Sequence, residues 1–194
     1  MKSKKVLIFS LTFTVIAVFT VINLAGIFSE KKPLSFFGKI EQFQLIDHEN
    51  NKFSLSDLEG SIWVVDFIFT SCPGPCPLMT SKMRKLQNHY SKEPDVKFLS
   101  ISIDPENDTP EVLQDYAKKF SADLSQWTFL TGQREAIVSL AQNSFKLAAG
   151  GEDPNLHTTK FVLVDQSSQI RGYYDSQSEG FFEKIDIDIN TLLK

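Results

Sequence analysis

The stretch that decides the fold is Ile62-Trp63-Val64-Val65-Asp66-Phe67-Ile68-Phe69-Thr70-Ser71-Cys72-Pro73-Gly74-Pro75-Cys76-Pro77. Its first half is an apolar run of strand length, and its second half holds the only two cysteines of the chain. Pro77 suits the first turn of a helix, because the N–H that proline lacks would have no helical partner there. The stretch therefore predicts a buried strand, a short loop with paired thiols, and a helix.

Strand-like and helix-like patterns alternate along the rest of the chain. Apolar residues recur at helical spacing after Pro77, and 96–103 is a second apolar strand. The C-terminal segment 181–193 fits both an alternating strand and one helical face, and we prefer the helix. The remaining predicted elements are a strand over 127–130, hairpins over 43–55 and 161–174, and helices from Thr109-Pro110 and around 137–145.

This order of elements predicts an α/β domain. Strand–helix–strand units imply a parallel core with right-handed crossovers, and the final antiparallel pair makes the sheet mixed. Ligand chemistry in such sheets collects outside the carboxyl ends of the strands. Cys72 and Asp104 each follow such an end. We therefore expect a thioredoxin-like fold, with a mixed central sheet flanked by helices and the cysteines at its working edge.

The N-terminal part of the chain predicts a membrane anchor. Residues 6–28 contain no charged residue, and about 20 residues suffice for a helix to cross the bilayer. A secretory signal would have a shorter apolar region and a small-x-small cleavage site, which this segment fits poorly. We expect a flank over 1–5, a transmembrane helix over 6–28, a linker over 29–39 and the soluble domain over 40–194. Lysines flank both ends of the anchor, so charge only slightly favours an N-terminus inside the cell.

The net charge of -4 argues against one class of partner. No basic run follows the N-terminus, and nucleic-acid binding usually needs a basic stripe or patch. We therefore expect no nucleic-acid partner.

Two thiols at the mouth of a helix can exchange with a disulfide or hold a soft metal ion. Thioredoxin-type oxidoreductases have two residues between the cysteines, whereas three separate Cys72 from Cys76. Thiolates select soft ions such as Cu(I), and imidazole suits copper as well. His157 is the candidate third ligand, because the loop ahead of the 161–174 hairpin faces the cysteine motif in a thioredoxin-like fold.

Other candidate residues have simpler explanations. Asp104 could serve the metal or a docking surface, but together with Asp108 it also suits a turn and a helix cap. Met79 and Met83 could offer thioethers to copper, but their helical spacing predicts that they belong to the core. We expect His48 and His89 to be solvated.

Two motifs make the chain resemble the SCO/SenC family. They are Phe69-Thr70-Ser71-Cys72-Pro73-Gly74-Pro75-Cys76-Pro77 and Ser102-Ile103-Asp104-Pro105-Glu106-Asn107-Asp108-Thr109-Pro110-Glu111, joined by a histidine ahead of a Phe-Val-Leu-Val-Asp strand and by Ile170-Arg171-Gly172-Tyr173-Tyr174-Asp175. The resemblance implies a membrane-tethered protein of the bacterial cytoplasmic membrane, with its domain on the extracytoplasmic side. It also implies that copper is bound by Cys72, Cys76 and His157, as Cu(I) in preference to Cu(II). The implied partner is the copper-bearing subunit of cytochrome c oxidase.

Three function classes remain open from the sequence. The first is a copper chaperone, and the second is a thiol–disulfide oxidoreductase that reduces the cysteine ligands of the oxidase subunit, with Cys72 and Cys76 as its redox pair. The third, a peroxidase-like enzyme, lacks a positive signal, since the nearest arginine to the cysteines in sequence is Arg84. His157 and the three-residue spacing favour the chaperone.

Overall fold

A single sheet organises the protein in the computed structural model, which describes residues 33–147 and 158–194. The strands are β1 (Gly38–Lys39), β2 (Gln44–Asp47), β3 (Lys52–Ser54), β4 (Ile62–Ile68), β5 (Val96–Ser102), β6 (Trp127–Thr131), β7 (Lys160–Val164) and β8 (Gln169–Asp175). The α-helices are α1 (Cys76–His89), α2 (Pro110–Lys119), α3 (Arg134–Ser139) and α4 (Phe181–Leu192). A 3-10 turn covers Leu55–Asp57, and a π-helical turn covers Leu140–Ser144.

The sheet is mixed, with a parallel centre, as the sequence predicts. Its strand order is β1-β8-β7-β4-β5-β6-β2-β3. Strand β5 pairs in parallel with both β4 and β6. The strands outside this centre pair antiparallel, and β7 lies directly beside β4. The parallel centre places the carboxyl ends of β4 and β5 side by side, which is the edge where the cysteine loop begins.

Both faces of the sheet are covered, which explains why β4 is apolar along its whole length. All seven of its residues are buried. Side chains alternate between the two faces of a strand, so Val64 and Ile68 pack in the cluster that includes α1, α2 and α4. Val65 and Phe67 pack on the other face, against α3 and the β2–β3 hairpin. The cysteines belong to the first of these clusters.

The third helix is shorter than the spacing of its apolar residues predicts. The sequence predicts one helical face over 137–145, but α3 ends at Ser139 and continues as the π turn. The Phe145 N–H donates to the Leu140 carbonyl at 3.0 Å, a span of five residues. This wider turn accompanies an edge-to-face contact between Phe145 and Phe67, with ring centroids 5.4 Å apart. The contact explains why Phe145 stays in the core although the α-helix has ended.

The C-terminal segment is the helix α4, so the preferred alternative is confirmed. Ile185 and Ile189 are completely buried against the sheet, whereas Ile187 is 63% exposed. An alternating strand would place all three isoleucines on one face, but the helix turns Ile187 to solvent. The pattern of a single helical face is the one realised.

The predicted anchor over 6–28 lies outside the described residues. Within 33–147 and 158–194, none of the helices has the length and apolar character needed to cross a bilayer. Part of the predicted linker is described: Gly38 and Lys39 form β1, which pairs with Ile170 and Gln169 of β8.

Candidate metal centre

The paired cysteines lie where β4 ends and α1 begins. The Cys72 N–H donates to the Phe69 carbonyl at 3.2 Å, which closes a tight turn at the end of the strand. The Gly74 N–H points at the Cys72 sulfur at 3.4 Å. Cys76 is the first residue of α1. Both side chains are free thiols, and their exposed fractions are only 6% and 1%. The loop therefore presents two sheltered sulfur donors at one end of the sheet.

The two thiols lie close enough to influence each other. The pKa of Cys76 is raised to about 12, chiefly by burial; a backbone hydrogen bond at Phe69 lowers it, and a hydrogen bond with the Cys72 side chain contributes to the increase. The charge of Asp66 adds to the increase. Cys76 therefore holds its proton at neutral pH in the metal-free protein. Because a cysteine binds a metal ion as its thiolate, metal binding at the Cys76 sulfur must release that proton.

Asp66 is a buried carboxyl beneath the cysteines that the sequence analysis did not single out. Its position in β4 puts it on the same face as Val64 and Ile68, the face that holds both cysteines. Burial raises its pKa to about 7, although a hydrogen bond from Ser100 lowers it. The signal was present in the sequence, since one carboxylate interrupts an otherwise apolar strand. A buried carboxyl with a displaced pKa beside two thiols is typical of a functional site.

A hydrogen-bonded chain connects α2 to the start of α1. The Thr80 hydroxyl donates to the Cys76 carbonyl at 2.9 Å. Its oxygen lies 2.7 Å from the Tyr116 hydroxyl. Because Thr80 has one hydroxyl proton and gives it to Cys76, the Tyr116 hydroxyl must donate to Thr80. Tyr116 on α2 thereby holds the first turn of α1.

A second connection joins α2 to the turn before Cys72. The Asp108 carboxylate accepts hydrogen bonds from the Thr70 N–H at 3.1 Å and from the Thr70 hydroxyl at 2.5 Å. It also accepts one from the Ser102 hydroxyl at 2.5 Å. Asp108 and Ser102 are completely buried. The carboxylate therefore spans the ends of β4 and β5.

The residues around Asp104 form a turn and a cap. The Asp104 carboxylate accepts from the Asn107 side-chain amide at 2.9 and 3.1 Å, and Arg134 lies 3.8 Å away. The cap of α2 is Thr109, whose hydroxyl accepts from the Val112 N–H at 3.4 Å. Asp108 was a candidate for this cap, but its side chain turns inward to Thr70 instead.

His157 lies outside the described residues. Within 33–147 and 158–194, no group of three His, Cys, Asp or Glu side chains is arranged to hold a metal ion. The described chain resumes just before β7, which runs antiparallel to β4 with Val162 opposite Val65. The start of β7 therefore lies at the edge where β4 ends and the cysteine loop begins.

The remaining histidines and methionines were predicted with mixed success. Met79 and Met83 are core residues, as expected, with exposed fractions of 1% and 0%. The expectation for His48 was wrong, because its side chain is buried and its Nδ1 accepts from the Phe129 N–H at 3.3 Å. His89 is half exposed, as expected, and its Nε2 lies 3.0 Å from Asp186. The turn that contains His48 folds against β6, a contact that its polar sequence does not reveal.

Comparisons of the sequence with a family model and with known proteins indicate the same family. A family model described as SCO1/SenC matches residues 34–191. The "SCO1 protein homolog" of Bacillus subtilis (strain 168) is 34% identical over 166 residues, which cover 83% of this chain and 85% of that protein.

Solved structures agree with the sequence comparison. The crystal structure of a SCO1/SenC family lipoprotein from Bacillus anthracis str. Ames superposes with a TM-score of 0.76 at 36% identity, covering 84% of this chain and 99% of that one. BsSco, described as a member of the Sco family of cytochrome c oxidase assembly proteins with a disulfide switch, gives a TM-score of 0.71 at 32% identity over 84% of this chain and 98% of its own. The mixed α/β architecture predicted from the sequence is thus the architecture of these relatives.

Proposed function

The chain belongs to the SCO1/SenC family, and from this membership we propose that it is a membrane-tethered copper chaperone that binds Cu(I) through Cys72, Cys76 and His157. Proteins of this family bind copper and take part in the assembly of cytochrome c oxidase. The proposed recipient is the copper-bearing subunit of that oxidase.

The observation that carries the proposal is the pair of free, sheltered thiols at the end of β4. Cys72 and Cys76 are buried in one cluster and interact with each other. Two soft sulfur donors favour Cu(I), while Cu(II) prefers nitrogen and oxygen ligands in a tetragonal arrangement. Burial also keeps water from the sulfurs, which suits a cargo ion held until it is passed to a partner protein.

His157 completes the proposed ligand set. Lys160, the first residue of β7, stands only three positions after it in the sequence. The start of β7 lies at the same edge of the sheet as the cysteine loop, as the register of Val162 with Val65 requires. A neutral imidazole adds the nitrogen donor that Cu(I) accepts beside two thiolates.

Loading with Cu(I) must displace protons, and the site has an acceptor nearby. The Cys76 thiol is protonated at neutral pH because burial raises its pKa to about 12. Asp66 shares its face of the sheet, and burial raises the pKa of Asp66 to about 7. An ionised Asp66 opposes formation of a Cys76 thiolate, as its charge raises the thiol pKa. Bound Cu(I) balances only one of the two thiolate charges, and protonation of Asp66 removes the remaining repulsion, so copper uptake and the protonation of Asp66 are linked.

The alternative function is thiol–disulfide oxidoreductase activity toward the cysteine ligands of the oxidase subunit. The same two thiols serve it, and the relative BsSco is described by its disulfide switch. A Cys72–Cys76 disulfide would offer no thiolate to Cu(I), so the two activities exclude each other at any one moment.

Copper titration of the reduced full chain in detergent, beside an insulin reduction assay, separates these functions. The chaperone binds one equivalent of Cu(I) tightly and turns over insulin poorly. X-ray absorption should then show two sulfur neighbours and one nitrogen neighbour. Rapid insulin reduction without stoichiometric copper binding would establish the oxidoreductase in its place. A shell of four sulfurs or of oxygens alone would contradict the ligand set.

We further propose that residues 6–28 anchor the protein in the bacterial cytoplasmic membrane, with the thiols on the extracytoplasmic side. The support is the uncharged apolar length of this segment together with family membership. A reporter that works only outside the cytoplasm, fused after Lys194, should be active. Activity of a cytoplasm-only reporter at the same position would reverse the orientation.

A further inference from the structure

Asp108 is a completely buried carboxylate that the copper chemistry does not use. Its three hydrogen-bond donors are the Thr70 N–H, the Thr70 hydroxyl and the Ser102 hydroxyl, at 3.1, 2.5 and 2.5 Å. All three donors are neutral, so the carboxylate is held by hydrogen bonds and not by an ion pair. Hydrogen bonds to a charged group are shorter and stronger than those between neutral groups.

We propose that Asp108 is a positioning residue that sets the location of the Cys72 sulfur relative to Cys76. Thr70 occupies the turn that the Cys72 N–H closes on the Phe69 carbonyl. The Thr70 N–H is fixed to the main chain and cannot rotate away, so its bond to Asp108 fixes the turn itself. For copper binding, the inference rests on the function proposed above.

Asp108 is itself held by its neighbours. Its N–H donates to the Asp104 carbonyl at 2.9 Å, and the Asp104 N–H donates to the Ser102 hydroxyl at 3.0 Å. Ser102 is the last residue of β5, and Ile103 continues the sheet by donating to the Ile68 carbonyl at 2.8 Å. The carboxylate is thus fixed to the end of β5 before it reaches across to the cysteine turn.

The α2 segment, from Asp108 to Tyr116, is connected to both cysteines through intermediate residues. Asp108 stands two residues before its first residue and contacts the turn ahead of Cys72. Tyr116, further along α2, contacts Thr80, which in turn donates to the Cys76 carbonyl. The α2 segment therefore acts as a brace that reaches Cys72 through Thr70 and Cys76 through Thr80. Loss of the Asp108 contact frees one sulfur while the other stays in place.

The test measures the reduction potential of the Cys72–Cys76 pair in the full chain, in detergent, against mixtures of oxidised and reduced dithiothreitol. Asp108→Ala removes all three hydrogen bonds that the carboxylate accepts. Because disulfide formation depends on how often the two thiols meet, we expect its equilibrium constant to fall by about tenfold, the lower end of what is lost when a residue that orients a ligand is removed. A tenfold fall corresponds to a potential about 30 mV less negative for this two-electron couple. An unchanged potential in the folded variant would overturn the proposal.

Two variants of Thr70 keep the test decisive if Asp108→Ala fails to fold. Thr70→Val removes only the hydroxyl bond and should shift the potential in the same direction by a smaller amount. Thr70→Ser retains the hydroxyl and should restore the original value. A wild-type potential in Thr70→Val would count against the brace.

Asp165→Ala is the matched control. Asp165 is also buried and accepts two main-chain hydrogen bonds, from Ser167 and Gln169 at 2.9 Å each, but it lies in the turn between β7 and β8 and also pairs with Arg171 at 3.2 Å. Its loss should lower the melting temperature and leave the thiol potential unchanged. An equal shift of potential in this variant would mean that general destabilisation, not positioning, is responsible.

The measurement does not depend on copper. If the reduced chain binds no Cu(I) but Asp108→Ala shifts the potential, the chaperone function fails and the brace stands. If the chain binds Cu(I) and Asp108→Ala changes neither potential nor affinity, the brace fails and the chaperone stands. Where both hold, Cu(I) affinity should fall by about tenfold or more in Asp108→Ala.

Discussion

Asp66 and Ser100 face each other across the parallel pair β4–β5, and the Ser100 hydroxyl donates to Asp66 Oδ1 at 2.6 Å. The Trp127 indole N–H donates to the same hydroxyl oxygen at 3.0 Å, so Ser100 can give its single proton only to Asp66. Asp66 Oδ2 has no partner among the described residues. Half of this carboxyl is therefore satisfied and half is left in an apolar core, which explains why its pKa lies far above the ordinary range.

Asp66→Asn should change how stability depends on pH. Burial raises the folded-state pKa from 3.8 to about 7, so between these values the folded protein holds a proton that the unfolded chain has lost. The contribution of protonated Asp66 to stability is fully present below pH 4 and is lost as the pH rises towards 7. The loss is at most roughly 4 kcal/mol, from about 1.4 kcal/mol for each pKa unit. Asn carries no titrating proton, so denaturant unfolding at several pH values should show a flatter profile.

Glu106→Gln provides a control of opposite sign. Glu106 is fully exposed, and its hydrogen bond with Arg134 lowers its pKa. The stabilisation that Glu106 gains from Arg134 is present above the pKa of Glu106 in the unfolded chain, and it is lost as the pH falls through the lower folded-state pKa. Removing it should flatten the acid side of the profile and leave the fall between pH 4 and 7 intact. If Asp66→Asn unfolds with the same pH profile as the wild type, Asp66 does not titrate in this range.

Cys72→Ser and Cys76→Ser should each abolish high-affinity binding of Cu(I). A serine hydroxyl is a hard donor that stays protonated near neutral pH, so it replaces a thiolate poorly. Competition with a Cu(I) chelator of known affinity measures the loss. Ser71→Ala, at the exposed position next to Cys72, should bind as the wild type does. Retention of affinity in either serine variant would remove that cysteine from the ligand set.

His157→Ala should weaken Cu(I) binding without unfolding the domain. We expect the free energy of unfolding to change by less than about 1 kcal/mol, as for most substitutions in polar loops. His89→Ala is the matched histidine control, because His89 is half exposed and pairs with Asp186 on α4. Copper affinity should fall in the first variant only. Equal affinity in both variants would show that His157 is not a ligand.

Copper and a Cys72–Cys76 disulfide should compete for the same sulfurs. Forming the disulfide removes two protons and two electrons from the thiols, and neither sulfur can then bind as a thiolate. Alkylation of the reduced chain should fall as Cu(I) is added and reach its minimum at one equivalent. Apparent affinity should also fall below about pH 6, where an imidazole with an ordinary pKa of ~6.5 gains a proton. Equally tight binding of Cu(I) by the oxidised chain would exclude the cysteines.

Most elements of the fold could be predicted because their signals are local. The apolar run of β4, the proline that opens α1 and the turn between β2 and β3 each lie within a few residues of sequence. Thr109-Pro110 marks the start of α2 in the same way. Periodicity was less reliable where a distant contact alters the local geometry. The π turn after α3 is such a case, since Phe145 packs against Phe67 of β4.

The candidate site likewise has features that local sequence predicts and features that depend on distant contacts. The sequence by itself determined the chemistry on offer: two cysteines at a strand end, three residues apart, and a histidine ahead of a later strand. Only the tertiary structure decided the state of these groups, because burial and hydrogen bonding come from segments far away in the chain. Ser100 lies 34 residues from its partner Asp66, and Thr70 lies 38 residues from Asp108. A carboxyl acquires its pKa, or its role as a brace, from what packs around it, and no window of sequence contains that information.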